Sequence, residues 1–219
     1  MFELLRECGA LARILPEVDR LWGVPQPEAH HPEVDTGVHL MMVLDTAARL
    51  GAPLTVRFAC LGHDLGKGTT RPEEWPRHIA HEARSVRLVK QVSERLKVPN
   101  ECREVAETVA REHGNVHRSE SLDAAAVVRL LERCDAWRRP ERFAEVLLAC
   151  ECDARGRLGL EETPYAPRPR LWAALAAARA VDTAAVAAEA VAQRHTGPAI
   201  GIAIAQARAQ AIRDAGLAE

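Results

Sequence analysis

His63 and Asp64 stand side by side in the run Cys60-Leu-Gly-His-Asp-Leu-Gly-Lys-Gly68, where an apolar helical stretch meets a glycine-rich turn. An imidazole nitrogen and a carboxylate oxygen suit a borderline-to-hard divalent cation, and such a mixed set leaves positions for water and a phosphoryl oxygen. Adjacent helical residues point about 100° apart, so the pair reaches one ion only where the helix ends or meets another. Gly66 and Gly68 supply such an end. His39 follows Asp35 by four residues at the start of an apolar stretch, so the two share a helix face. His39 can ligate while Asp35 caps the helix or orients the imidazole. Asp135, in Leu131-Glu-Arg-Cys-Asp-Ala-Trp137, is a carboxylate among apolar neighbours and needs a partner. A shared cation is one such partner; Arg138, three residues on, or Arg139 is another.

The set His39, His63, Asp64 and Asp135 predicts metal-assisted chemistry, because a bound cation lowers the pKa of its water and offsets charge on a phosphoryl group. Asp64 is the candidate acceptor for the proton of the attacking water, with His63 beside it. Lys67, three residues after Asp64, can meet a non-bridging phosphate oxygen as a point charge, or remain a solvated loop residue.

The elements that must position these residues are helices. Apolar residues recur at helical spacing nearly throughout, and alternating strand patterns are almost absent. Helices are expected over residues 2–11, 16–21, 35–50, 54–64, 79–96, 99–113, 122–138, 140–154, 171–180, 183–194 and 198–215. Pro99 and Pro140 suit first-turn positions, where a missing amide costs nothing. The Gly-Val-Pro-Gln-Pro motif at 23–27 breaks the chain. The alanine-rich tail has helix propensity but little side-chain volume for a core. The fold class is therefore all-α.

A formal charge of −2, with both signs interspersed, gives no global basic field for capturing nucleic acid, so any RNA contact is local. The six cysteines include no Cys-x-x-Cys pair and no secretory signal precedes them, so they read as reduced thiols in a cytoplasmic protein. No apolar run approaches the roughly 18 residues a membrane span needs, so no membrane partner is expected.

The order His39, His63-Asp64, Asp135 resembles the ligand set of the HD-domain metal-dependent phosphohydrolases. The runs His31-Pro-Glu-Val-Asp-Thr-Gly-Val-His39, Val56-Arg-Phe-Ala, His63-Asp-Leu-Gly-Lys-Gly-Thr69, Trp75-Pro-Arg-His78, Arg95-Leu-Lys-Val-Pro-Asn100, Asp135-Ala-Trp-Arg-Arg-Pro140 and Asp153-Ala-Arg-Gly-Arg157 are similar to the C-terminal HD domain of bacterial multifunctional CCA-adding enzymes. That resemblance covers roughly residues 1–165. It implies an HD helical domain over 1–165, with 166–219 as a helical tail packing on it. It also implies 2′,3′-cyclic phosphodiesterase, 2′-nucleotidase and phosphatase activity with Ni²⁺, Mg²⁺ or Mn²⁺. The implied partners are a nucleotide bearing a 2′,3′-cyclic or 2′-phosphate and tRNA 3′ ends, with a homodimer left open. His81, Glu82 and His113 stand where some members carry ligands for a second metal, and His78 and His81 alternatively contact phosphate. Arg138, Arg155 and Arg157 are candidate contacts to RNA or phosphate. The family's CCA-adding chemistry belongs to a β-sheet polymerase head with paired carboxylates, which this sequence does not contain, so nucleotide polymerisation is not expected. The competing readings are a non-catalytic tRNA-binding or dimerisation module and an HD 5′-nucleotidase.

Overall fold

Asp35 decides how the first long helix begins. In the computed structural model, which describes all 219 residues, its Oδ1 accepts the backbone amides of Gly37 at 2.8 Å and Val38 at 3.0 Å, satisfying two donors a helix start leaves open. Its Oδ2 accepts the Gly23 amide at 2.6 Å, and Thr36 Oγ1 donates to the Val24 carbonyl at 2.8 Å. Of the two roles open to Asp35, capping is the one the fold uses, and it also ties residues 23–25 to the helix start.

The fold is all-α: twelve helices and no strand. In order they are α1 (Phe2–Glu7), α2 (Leu11–Ile14), α3 (Pro16–Asp19), α4 (Thr36–Arg49), α5 (Leu54–Gly62), α6 (His81–Arg95), α7 (Asn100–His117), α8 (Ala124–Arg133), α9 (Pro140–Arg155), α10 (Pro167–Arg179), α11 (Thr183–Ala192) and α12 (Pro198–Asp214). No single helix is long and apolar enough to cross a membrane.

Two compact units emerge, and their borders differ from the single boundary expected near residue 165. The first comprises Met1–Gly114 and Glu145–Tyr165; the second comprises Asn115–Ala144 and Ala166–Glu219. In the first, α4 buries Thr36, His39, Leu40, Val43, Thr46 and Ala47, the stripe that helical spacing requires. Val56, Ala59 and Cys60 of α5 and Val89 and Val92 of α6 add to that core. In the second, α8 and α10 both pack on α12 and bury Val127, Leu130, Leu131, Leu171, Leu175 and Ile212. The alanine-rich α11 buries only Ala190 and packs on α12.

Local departures from the expected helices have local causes. Gly9, at φ +73°, separates α1 from α2 where one helix over 2–11 was expected. Gly114 and Asn115 do not end α7, which runs on to His117; a mid-helix glycine costs only about 1 kcal/mol against alanine. Helix α8 stops at Arg133, short of the expected 138, and Asp135 takes a left-handed φ of +53°.

The junction after α5 carries the His63-Asp64 pair. His63 keeps helical angles (φ −59°, ψ −40°), Asp64 leaves them (φ −111°, ψ 11°), and Leu65–Thr69 form a 3-10 turn packed against α6. The Gly66 amide donates to Ser85 Oγ at 2.9 Å, and a Cβ at Gly66 would overlap the His81 carbonyl oxygen and the Ser85 amide. Arg84 fastens the contact, donating to the Gly66 carbonyl at 3.2 Å, Thr70 Oγ1 at 2.8 Å and the Ile79 carbonyl at 2.7 Å. Gly66→Ala is expected to cost about 1–3 kcal/mol of overpacking in urea unfolding, whereas Gly201→Ala, in the open first turn of α12, should leave stability unchanged or raise it by up to about 1 kcal/mol. Equal stability of Gly66→Ala and the parent chain would contradict this account of the turn.

Candidate metal centre

Asp64 is buried, at 3% exposure, and its two oxygens face different neighbours. Oδ2 lies 3.2 Å from His63 Nε2 and 2.6 Å from Lys67 Nζ. Oδ1 lies 3.2 Å from His81 Nε2 and 3.6 Å from His113 Nε2. A second carboxylate, Asp153 on α9, places Oδ1 3.0 Å from His39 Nε2 and 3.8 Å from His63 Nε2. Donor atoms thus gather into His39–His63–Asp153 and Asp64–His81–His113, each set lying within 4.8 Å of one another. Ligands held by one ion at about 2.1 Å sit at most about 4.2 Å apart, so each set is a small inward shift from coordination geometry.

The histidine tautomers favour a cation. His63 Nδ1 donates to the Cys60 carbonyl at 2.7 Å, His81 Nδ1 to the His78 carbonyl at 2.9 Å and His113 Nδ1 to the Val109 carbonyl at 3.0 Å. A neutral imidazole carries one proton, so whenever one of these rings is neutral its Nε2 lone pair faces the carboxylates. His39 Nδ1 lies 2.9 Å from Glu33 Oε1, off the line of a well-formed hydrogen bond but close enough to hold a proton there. Lone pairs facing carboxylate oxygens repel one another unless a proton or a metal stands between them. His63 Nε2 and Asp64 Oδ1 are buried without a hydrogen-bond partner, so the donor set fits a divalent ion on the chain's own geometry.

Electrostatics point the same way. Burial works against the charged form of His63, but the Asp64 and then the Asp153 carboxylates outweigh it and hold its pKa at about 9. Burial likewise opposes a charged His39, yet its contacts with Asp153 and Glu33 raise its pKa. Burial pushes Asp64 upward, and the Lys67 and His63 charges pull it well below the usual carboxylate range. Glu33 behaves similarly: burial raises it, His39 and its own backbone amide lower it, and it settles at about 2. His31, 4.7 Å from the His39 ring, falls to about 3 through burial, then Lys67, His39 and Arg157.

The sequence-predicted residues divide clearly. The structure brings His39, His63, Asp64, Lys67, His81 and His113 to one place. Lys67 is buried and not a solvated loop residue; Gln26 Oε1 accepts from its Nζ at 2.5 Å. His78 is corrected: Nε2 meets the Pro25 carbonyl and Nδ1 meets Thr70 Oγ1, both at 2.9 Å, so neither nitrogen is left for metal or phosphate. Asp135 is corrected too. It belongs to the second unit, is absent from both donor sets, and is held by Arg138 at 2.7 Å and Arg142 at 3.1 Å. Arg138 first, with Arg142 and Arg139, holds the Asp135 carboxyl below its ordinary range, so Arg138 serves as that carboxylate's partner. Arg155 is engaged by Glu151 at 3.0 Å and the Glu161 carbonyl at 2.8 Å.

Sequence reasoning missed Asp153 as a candidate ligand and Glu33 as the carboxylate beside His39 Nδ1. The sign of Asp153 was present: α9 buries Phe143, Val146, Leu147 and Cys150, and a carboxylate at the next turn of that stripe points into the core.

The family profile described as "HD domain" matches residues 36–154, a span that includes His39 near its start and Asp153 near its end. The chain is 66% identical over 218 residues to the "Multifunctional CCA protein" of Polaromonas naphthalenivorans, covering 100% of this chain and 51% of that protein. It is 69% identical over 214 residues to the protein of the same name from Paracidovorax citrulli, covering 98% and 51%. With that of Variovorax paradoxus it shares 68% over 212 residues, covering 97% and 51%. The chain spans about half the length of these relatives, and no solved structure matches it.

Calorimetric titration with Mn²⁺ should show Asp153→Asn losing more affinity than the roughly 10- to 100-fold typical of an orienting partner, Glu33→Gln losing that smaller amount, and Asp135→Asn binding like the parent. Equal loss in Asp153→Asn and Asp135→Asn would contradict the assignment. Because His63 holds its proton up to about pH 9 without metal, binding near neutral pH must expel protons, so affinity rises with pH toward that value. Identical affinity at a neutral and a mildly alkaline pH would contradict this.

Proposed function

The chain belongs to the HD-domain family, and from that membership we propose that the Asp64 cluster is a two-metal phosphohydrolase centre acting on 2′,3′-cyclic and 2′-phosphates of nucleotides, RNA ends such as tRNA 3′ termini among them. One observation carries the reading: four imidazole Nε2 atoms face two buried carboxylates, with each opposite nitrogen facing an acceptor. HD domains bind divalent metals, and of the ions the resemblance implies, this imidazole-rich donor set suits Ni²⁺ or Mn²⁺ better than Mg²⁺.

His39, His63, Asp153 and Asp64 Oδ2 would hold one ion, and Asp64 Oδ1, His81 and His113 the other. When bound, such ions supply a lowered water pKa and offset charge on the phosphoryl oxygens. Asp64 faces both sets; burial pushes its carboxyl upward, but Lys67 and His63 hold it well below the ordinary range, so it would serve as a shared ligand. Lys67 is held by Asp64 and Gln26 with its ammonium inside the cluster, where it can turn to a non-bridging phosphate oxygen. Glu33 and the three backbone carbonyls keep the rings in the ligating tautomer. Hydrolysis of the cyclic diester forms one bond from water oxygen to phosphorus and breaks one ester bond, and the proton passes to the departing ribose oxygen. The monoester left behind presents the same phosphoryl group to the same residues.

The test is an assay with 2′,3′-cyclic AMP, 2′-AMP and 5′-AMP under Mn²⁺, Ni²⁺ and Mg²⁺. The cyclic and 2′ substrates should be hydrolysed, and His63→Ala, Asp64→Ala and Asp153→Ala should each lose about three orders of magnitude or more, the scale of several kcal/mol of lost metal assistance. Turnover of 5′-AMP alone, or full activity in all three variants, would overturn the proposal.

A further inference from the structure

Two arginines follow Asp153, and their surroundings differ. Arg155 spends its donors on Glu151, the Glu161 carbonyl and, at 3.6 Å, Glu162. Arg157 has no such partners: its half-buried guanidinium meets neither an acceptor nor a carboxylate, and its Nε is wholly buried. A partly desolvated cation without an anion is unfavourable, and most such groups in folded proteins are paired.

The position of Arg157 is set by close approaches on both sides. Gly156 lies so near α4 that a Cβ would come within 2.7 Å of Val43 Cα. The Leu158 amide donates to Glu33 Oε2 at 3.2 Å, while Glu33 Oε1 faces His39 Nδ1 at 2.9 Å and His31 Nδ1 at 3.0 Å. Arg157 is therefore anchored between Gly156 and Leu158 at the side of the ligand cluster, one residue from the amide that holds its orienting carboxylate. The other cation there, Lys67, is already bound to Asp64 and belongs to the reacting phosphate. A guanidinium fork matches two oxygens of a phosphate and is weakly hydrated, so it tolerates this setting.

We propose that Arg157 receives a second phosphate of the substrate, so that the site is built for a ribonucleotide carrying two phosphates, as at the end of an RNA chain, in preference to a nucleoside monophosphate. This rests on the reading of the Asp64 cluster as a phosphate-binding metal centre. The reacting phosphate sits at the metal ligands, and the phosphate toward the 5′ side meets Arg157.

Calorimetry on the full chain with Mg²⁺, with released phosphate followed in parallel, compares adenosine 2′-monophosphate with adenosine 2′,5′-bisphosphate. The parent should bind the bisphosphate roughly 10- to 100-fold more tightly, the worth of one charged hydrogen-bonded pair. Arg157→Ala should erase that preference while weakening the monophosphate by no more than about twofold, and Arg157→Lys should keep part of it. A thermal melt checks folding, and Arg157→Lys carries the test if the alanine variant does not fold. No preference in the parent, an unchanged preference in Arg157→Ala, or equal loss of both ligands would overturn the proposal. A preference that persists in a chain unable to hydrolyse 2′,3′-cyclic AMP removes the catalytic reading and leaves this one standing; hydrolysis without the preference does the reverse.

Discussion

A single buried carboxylate, Asp64, has to satisfy three imidazole nitrogens and an ammonium at once. Taking a carboxylate out of water costs several kcal/mol unless partners return it, and here the partners come from α5, the turn after it, α6 and α7. Much of the first unit's local structure serves that convergence. The chain leaves helical geometry at Asp64, not one residue earlier or later, and Gly66 lets the following turn lie directly on α6. Arg84 then fastens turn to helix, which keeps His81 opposite Asp64.

The chemistry of the four histidines is set largely by local backbone. His63, His81 and His113 each give their Nδ1 proton to a carbonyl three or four residues earlier, so their tautomer is chosen where they stand in the chain. Tertiary structure adds only the direction in which Nε2 points. His39 differs, because its Nδ1 relies on Glu33, a loop carboxylate that also holds His31 and the Leu158 amide. That carboxylate links the ligand on α4 to the segment after α9 that carries Arg157. The candidate ligand His39 and the residue next to Arg157 thus share one anchoring group.

The all-α fold and most of the cluster were legible because they are written locally. Helical apolar spacing gave the elements, and the His63-Asp64 dipeptide before glycines marked the end of one. The candidate ligand Asp153 was not legible by the same means. Asp135 and Asp153 are both acidic residues among apolar neighbours, and only tertiary packing separates them: Asp135 lies past the end of α8 with arginines around it, whereas Asp153 continues the buried stripe of α9. His78 was misjudged for a related reason, since its two acceptor and donor partners, Pro25 and Thr70, come from loops whose course periodicity does not describe. Glu33 lies in a loop, and its contacts with His39 and with the distant Leu158 amide arise only from tertiary folding.

The most direct test of the central claim is anomalous scattering from crystals of the full chain soaked in Mn²⁺. The account predicts two peaks flanking Asp64, one within ligand distance of His39, His63 and Asp153, the other of His81 and His113. Manganese bound at Asp135, or no peak beside Asp64, would contradict it.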